Sequence, residues 1–477
     1  MNLLKDNWIP VRQDNEDVRL ITFQRLLCQD EKWQLCLNRD DMELAALQLL
    51  VCLVQVIFMP QNKRELLERW QNPFTEEEYE NGIQPFLDWF DLLHPKYPFM
   101  QIRGVKAVKL TPIQKLFVGL PEGNNHAFFN QPDEHRQASL ANAAILLFNQ
   151  AMNSPSFGGG FKGSLRGGAP VTTLIMDEHL RQTIWCNVLS KEFAAPLFPK
   201  IENDVPVWVS PIKQKEEMLT ASLGFIRGLF WQPAHVELIC DQDGFAVGFN
   251  KEKFPFTIKD ELMVRWPHPH GVKKWAIKKG TREEKFLSFT TEAPAWASLS
   301  TLLIEKEGEK TGNSPAPVLS QYKQVFRGRP LYLAIGGYRN KQALILERRH
   351  EMFSFKKGWP EGLSYVNYIV DYALNCKTIL RKKMFGLKKN LGLKGLESKS
   401  EAIFFKRSEP LVHRVLQALD WQDAIMEVKR AYYDLAQMTK HIFEDMVAPY
   451  NHDPKMMKII VKSRAALLAD LRKMEEQ

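Results

Sequence analysis

The run Ser154–Pro170 places six glycines and two prolines in seventeen residues, and three of the glycines, Gly158, Gly159 and Gly160, are adjacent. Consecutive glycines strip every Cβ from a length of backbone. Another backbone or a base-pair edge can then come close, with peptide N–H and C=O groups as the reading heads. Phe157 and Phe161 bracket the run and are expected to anchor both its ends, with Lys162 and Arg166 beside it. Gly158, Gly160 and Gly163 also fit a GxGxxG spacing, with Asp177 at a distance suited to a ribose contact. A dinucleotide site requires a strand before such glycines and a helix after them. Here a helical pattern and Pro155 precede, and Gly167, Gly168 and Pro170 follow, so the spacing is set aside. A Walker loop fails as well, because Lys162 precedes Gly163 instead of following it.

A second polar element lies in GGYRNKQALILERR (Gly336–Arg349), whose tip is Arg339–Asn340–Lys341–Gln342. It reads as a short hairpin or a helix start projecting side chains into a groove. Asn and Gln can hydrogen-bond base edges, and Arg and Lys can hold phosphate. His268 and His270 form a PHPH element next to Trp266. No carboxylate or thiol stands at partner spacing, so a rigid turn is expected there rather than a metal site. His235 reads as a core histidine. The sequence has no GxSxG, no HExxH and no carboxylate cluster of the two-metal nuclease type. No catalytic residue, metal or cofactor is therefore expected.

The elements that must hold these residues follow from pattern and composition. The 477 residues are 45% hydrophobic and 25% charged, the balance of a globular protein with two to four domains. Lys and Arg exceed Asp and Glu by 64 to 56, which permits a nucleic-acid partner. The six cysteines include no CxxC pair, and the N-terminus carries no apolar leader, so reduced thiols and a cytoplasmic location are expected. Met42–Phe58 reads as a buried helix capped by Asp40 or Asp41, Lys63–Leu93 as amphipathic helix, and Thr111–Leu120 as a short helix opened by Pro112. Ser139–Met152 is helical by pattern. VTTLIM, FAVGF, FPFTI and LYLAI are strand candidates, and Gly308–Pro317 reads as a surface loop. Beyond Gly358, four segments repeat apolar residues at helical spacing: 361–385, 398–419, 421–447 and 454–474. Asp420 and Asp453 are candidate caps, and Gly386–Gly395 is a basic link. The fold class expected is α+β, with a large mixed α/β N-terminal domain (1–357) followed by a C-terminal antiparallel four-helix bundle (358–477). Positive charge is concentrated in two places. Lys377–Arg407 holds ten Lys/Arg against two Glu, a net of +8, and Lys251–Lys285 holds ten basic against five acidic residues.

Taken together and in order, several stretches resemble the CasA family, the large subunits of the type I-E CRISPR Cascade complex. They are MNLLKDNWIPVR, RDDMELAALQLLVC, FNQPDEH, FGGGFKGSLRGG, GFIRGLFWQPAHVEL, WPHPH, KKGTREEKFLSFTT, GGYRNKQALILERRH and VAPYNHDPK. The resemblance implies a non-catalytic subunit of an RNA-guided interference complex. Such a subunit reads the protospacer-adjacent motif (PAM) of double-stranded target DNA, starts strand separation, and offers a docking surface to a helicase-nuclease. Its other partners would be the CRISPR RNA and the backbone and small subunits of the complex, with no membrane. By position, Gly158, Gly159 and Gly160 match the family's glycine loop in the PAM minor groove, Lys253 its lysine finger, and Gln342 its glutamine wedge. Phe128, Phe129 and Asn130 match a loop touching the guide and backbone subunits. Lys278 and Lys279 match basic residues along the displaced strand. Two positions depart from relatives. Lys341 stands where Asn can occur, which is expected to add phosphate contact. Ile239–Phe249 is short and lacks a cysteine-rich insertion, so the zinc site of some relatives is not expected. Two other readings compete. One is a scaffold that bridges partner proteins while DNA is read elsewhere; the other is a nuclease or nucleotide-binding enzyme, which would show metal-dependent cleavage or nucleotide turnover.

Overall fold

Apolar residues recur at helical spacing from Met42 to Val54, and they form one long buried helix, α1 (Asp40–Ile57). The computed structural model describes residues 1–14, 16–107, 109–120, 135–198, 201–202, 204–212, 217–253, 257–259, 265–391, 395–421 and 423–475. At the head of α1 the cap position belongs to Arg39, which corrects the expectation of an aspartate cap. Asp40 and Asp41 are instead the first helical residues, where their charge suits the helix dipole. The Asp41 carboxylate is taken up by the Arg39 guanidinium, which donates to it at 2.9 and 2.8 Å. The second core helix, α2 (Leu140–Met152), begins where Ser139 accepts from the amide of Asn142, and it packs on α1.

Two other expectations hold only in part, for local reasons. The stretch 63–93 is not one helix: Asn72 and Pro73 end Lys63–Gln71, and a capping box between Thr75 and Glu78 starts Glu76–Ile83. Thr111–Leu120 holds a two-residue strand and a 3₁₀ turn, because Thr111 and Pro112 pair with a neighbouring strand.

The strands that matter for the site are β1 (Thr172–Met176), β2 (Ala234–Cys240), β3 (Ala246–Lys253), β4 (Lys273–Lys278), β5 (Thr281–Phe286), β6 (Thr311–Ser314), β7 (Leu331–Lys341) and β8 (Leu344–Phe355). One sheet has the order β8–β7–β1, a second joins Thr111–Pro112, β3 and β2, and a third runs β5–β4–β6 with Lys306–Glu307 at its edge. Helices and largely antiparallel sheets make the fold α+β. Within the loop expected at 308–317, Thr311–Ser314 forms the strand β6. Gly312 is what permits it, since a Cβ there would lie 2.4 Å from the Trp275 ring of β4.

The chain divides into two compact units. The first comprises 1–290, 305–327 and 333–352, and the second 291–304, 328–332 and 353–477. The second unit contains α3 (Leu363–Leu391), α4 (Leu396–Ala418), α5 (Ala424–Val447) and α6 (Pro454–Glu475). Their short links make successive helices antiparallel, and α3 packs against the other three. Leu380, Met384, Phe404, Leu435, Phe443, Ile460 and Leu467 are buried between them. Helix α3 continues through Gly386 to Leu391, so most of the link expected at 386–395 is helical. Asp423, not Asp420, occupies the cap position of α5. Half of the basic residues of 377–407 serve the bundle itself. Lys377 and Arg381 pair with Glu401, Lys383 with Asp470, Lys388 with Glu397 and Arg407 with Asp445. Among the described residues, no helix is long and apolar enough to cross a membrane.

Candidate nucleic-acid interface

The glycine run is an ordered loop built from turns. Gly158, Gly159 and Gly160 have φ of +82°, +56° and +86°, and the Phe161 amide donates to the Gly158 carbonyl at 3.0 Å. Positive φ at both central positions of a hydrogen-bonded turn is the type I′ arrangement, which side chains with a Cβ adopt only at a cost. A second turn follows, closed by the Gly167 amide on the Ser164 carbonyl. The flanking phenylalanines anchor the loop as expected. Phe157 packs on Phe161 and on Phe249 of β3, with centroids 5.6 Å apart in each case.

Strand alternation on β3 supplies the cations. Residues 249, 251 and 253 share one face. Phe249 meets the loop, the Lys251 ammonium lies 5.0 Å from the centre of the Phe157 ring, and Lys253 reaches Gly160. A Cβ on Gly160 would sit 3.1 Å from the Lys253 Nζ. Sequence reading missed Lys251; the F-x-K-x-K alternation from Phe249 was the available signal.

Arg166, beside the glycines in the sequence, is turned inward in the structure. It is buried, and its guanidinium donates to the carbonyls of Met152 and Val171 and to the side chains of Asn153 and Thr172. It therefore staples the residues entering the loop to those leaving it. Burial pushes its pKa down to about 9, which leaves it charged at neutral pH. Below it lie His268 and His270, fully buried. Burial first, and the Arg166 charge second, push His270 down to about 3, so the imidazole is neutral. His270 meets Gln48 at 3.3 Å and the Asn187 carbonyl at 3.4 Å. Lysine cannot reproduce a four-acceptor fork. Arg166→Lys is expected to lower stability by about 2 kcal/mol, read by denaturant unfolding.

Opposite the loop stands the closed end of the β7–β8 hairpin. Its connection is two residues, Gln342 and Ala343. Gln342 has φ +55°, held there by the Asn340 side-chain amide, which donates to the Gln342 carbonyl. Arg339 and Glu347 pair across the hairpin at 2.9 Å. Burial alone would lift the Glu347 carboxyl, but Arg349 and Arg339 hold it below its ordinary range. The strand approaches the loop closely because Gly337 has no side chain; a Cβ there would come 3.0 Å from the Pro170 carbonyl.

Loop and hairpin tip line one open groove of about 540 Å³. Its walls include Gly158, Gly159 and Gly160 on one side and Asn340, Gln342 and Ala343 on the other. Gly158 is so near the tip that a Cβ on it would lie 3.3 Å from the Ala343 Cβ. The structure thus brings together Gly158–Gly160, Lys253 and Gln342, with Lys341 exposed next to the tip. It does not bring in Lys278 and Lys279. These occupy the turn between β4 and β5, with Lys279 at φ +47°, and Lys278 is paired with Glu283 at 2.7 Å. Phe128, Phe129 and Asn130 lie outside the described residues.

A bare, glycine-lined wall facing an amide-bearing tip, with an ammonium at one end, has the hydrogen-bonding groups and charge to meet base edges and phosphates. Residues 2–444 match the family model of CRISPR-associated protein Cse1. The CRISPR-associated protein CasA/Cse1 of Thermus thermophilus is 24% identical over 378 residues, covering 75% of this chain and 71% of that protein. The crystal structure of Thermobifida fusca Cse1 has a TM-score of 0.79 at 16% identity, over 99% of this chain and 98% of that one. A chain of a CRISPR RNA-guided surveillance complex has a TM-score of 0.72 at 15% identity, over 98% and 99%.

Proposed function

The chain belongs to the CRISPR-associated protein Cse1 family, and from that premise we propose that it is a non-catalytic subunit of an RNA-guided surveillance complex that reads the PAM in duplex DNA and starts strand separation. The observation that carries this reading is the groove shared by the glycine loop and the Gln342 tip. Peptide groups of Gly158–Gly160 meet the minor-groove edge of the PAM, where the hydrogen-bond pattern is degenerate and several PAM sequences are tolerated. Lys253 enters beside them. Gln342 presses into the stack next to the PAM, and Lys341 holds the adjoining phosphate. Unstacking costs about a few kcal/mol per step, within reach of a wedge supported by backbone contacts. The guide then reads sequence by pairing. Phe128, Phe129 and Asn130 contact the guide and a backbone subunit, Lys278 and Lys279 guide the displaced strand, and the assembled subunit receives a helicase-nuclease.

The test is binding of the assembled complex to duplexes that differ only in the PAM. Preference for one set of PAM letters supports the reading, and equal binding to all of them refutes it. Within that series, Lys253→Ala is expected to weaken the preferred duplex about fivefold and to reduce the salt slope by about 1, because one cationic contact is gone. An unaltered slope would assign the contact to another lysine.

A further inference from the structure

The glycine loop and the wedge hairpin come from distant parts of the sequence, yet one buried chain of side chains joins them. Arg166 Nη2 donates to Asn153 Oδ1 at 2.7 Å, and Asn153 Nδ2 donates to Asn149 Oδ1 at 3.2 Å. Asn149 Nδ2 donates to the Tyr338 hydroxyl at 2.7 Å, which donates in turn to Asp41 Oδ2 at 2.7 Å. Every donor points the same way, from a cation in the loop to a carboxylate at the head of α1. Arg39 and, from β8, Arg348 close the chain on Asp41.

Tyr338 is where this chain meets the hairpin. It is 1% exposed, and its ring packs against Ala169, at the exit of the glycine loop, and against Val118 and Ile345. Burial, and then the charge of Asp41, push its hydroxyl well above the ordinary tyrosine range, so it remains a donor. Burial alone would raise the Asp41 carboxyl, but the hydrogen bonds from Arg39 outweigh it and keep it ionised. Apolar side chains would fill the same space without the desolvation cost. What a connected polar chain adds is direction and distance. From Tyr338, β7 runs straight to the tip, four residues on, and the Arg339–Glu347 pair stiffens that stretch.

We infer that Tyr338 is a positioning residue, whose hydroxyl, held between Asn149 and Asp41, sets the height of the Gln342 tip against the glycine loop. The inference rests on the reading of the groove given above for its DNA arm only.

The variant is Tyr338→Phe, which removes one oxygen and keeps the ring. In the full chain, hydrogen exchange is followed by mass spectrometry. Deuterium uptake should rise in both 154–168 and 336–349, while α3–α6 stay unchanged. A rise confined to the hairpin, or spread evenly through the first unit, overturns the inference. In the assembled complex, Tyr338→Phe should slow duplex opening about fivefold in the native background and less than about 1.5-fold in Gln342→Ala, because its effect passes through the tip. Equal losses in both backgrounds would mean a merely structural role and also overturn it. Asn149→Leu breaks the same chain from the other side and should reproduce both results, which covers failure of the first variant to fold. Absence of PAM-dependent opening in the native complex would refute the functional reading while leaving the exchange result to judge Tyr338.

Discussion

Gly159→Ala should fold normally and lose binding to PAM-bearing duplex by about two orders of magnitude. Nothing in the protein lies within 4 Å of the position its Cβ would take, and that Cβ would point into open space beside the groove. Its φ of +56° is tolerable for alanine at a cost of about 1 kcal/mol, which a melting curve would register as a small shift. On the proposed reading the methyl group would occupy space that the edge of a base pair needs, and a lost close approach at the centre of an interface is worth about 3 kcal/mol. The neighbours give the control. Gly158→Ala meets Ala343 at 3.3 Å, and Gly160→Ala meets Lys253 Nζ at 3.1 Å, so both perturb the protein as well as the ligand. Unchanged binding of folded Gly159→Ala, measured by titration against a PAM-less duplex, would mean that the loop does not touch DNA.

Replacement of Gln342 separates the wedge from the fold that carries it. Gln342→Ala and Gln342→Gly should both reduce strand opening about a hundredfold, monitored by permanganate reactivity next to the PAM, since on the proposed reading each removes the group that replaces the lost stacking. Their stabilities should diverge. At φ +55° alanine keeps the left-handed strain and glycine relieves it, so Gln342→Gly is expected to be more stable than Gln342→Ala by about 1 kcal/mol. Initial PAM binding should change little in either. Opening at the native rate in both variants would remove Gln342 from the mechanism.

Much of this site was legible along the chain, where the relevant physics is local. Six glycines in seventeen residues forbid regular structure, and Phe157 and Phe161 mark where such a loop is pinned. The tip at Arg339–Gln342 is announced by a polar break between apolar runs. What escaped depends on distant partners. The burial of Arg166 is not readable from its neighbours in the sequence, which give its charge but not its acceptors, spread from Met152 to Thr172. Asp41, Asn149 and Tyr338 are separated by more than a hundred residues at each step, and only the folded chain places them in contact. Gly308–Pro317 has the composition of a turn, yet Gly312 is there to make room for Trp275. Lys253 was found by resemblance, although alternation from Phe249 leads to the same face.

Arg166 has one more implication, for behaviour in concentrated electrolyte. Its four hydrogen-bond acceptors are carbonyl, hydroxyl and amide oxygens, none of them ionised, so its full unit of charge persists just beneath the loop. Mobile ions cannot crowd round a group shut away from water, and screening there is weak. Once a polyanion is seated over the loop and excludes water from the space between, its attraction to this fixed charge should persist at ionic strengths that have already weakened the contacts of the solvent-facing lysines.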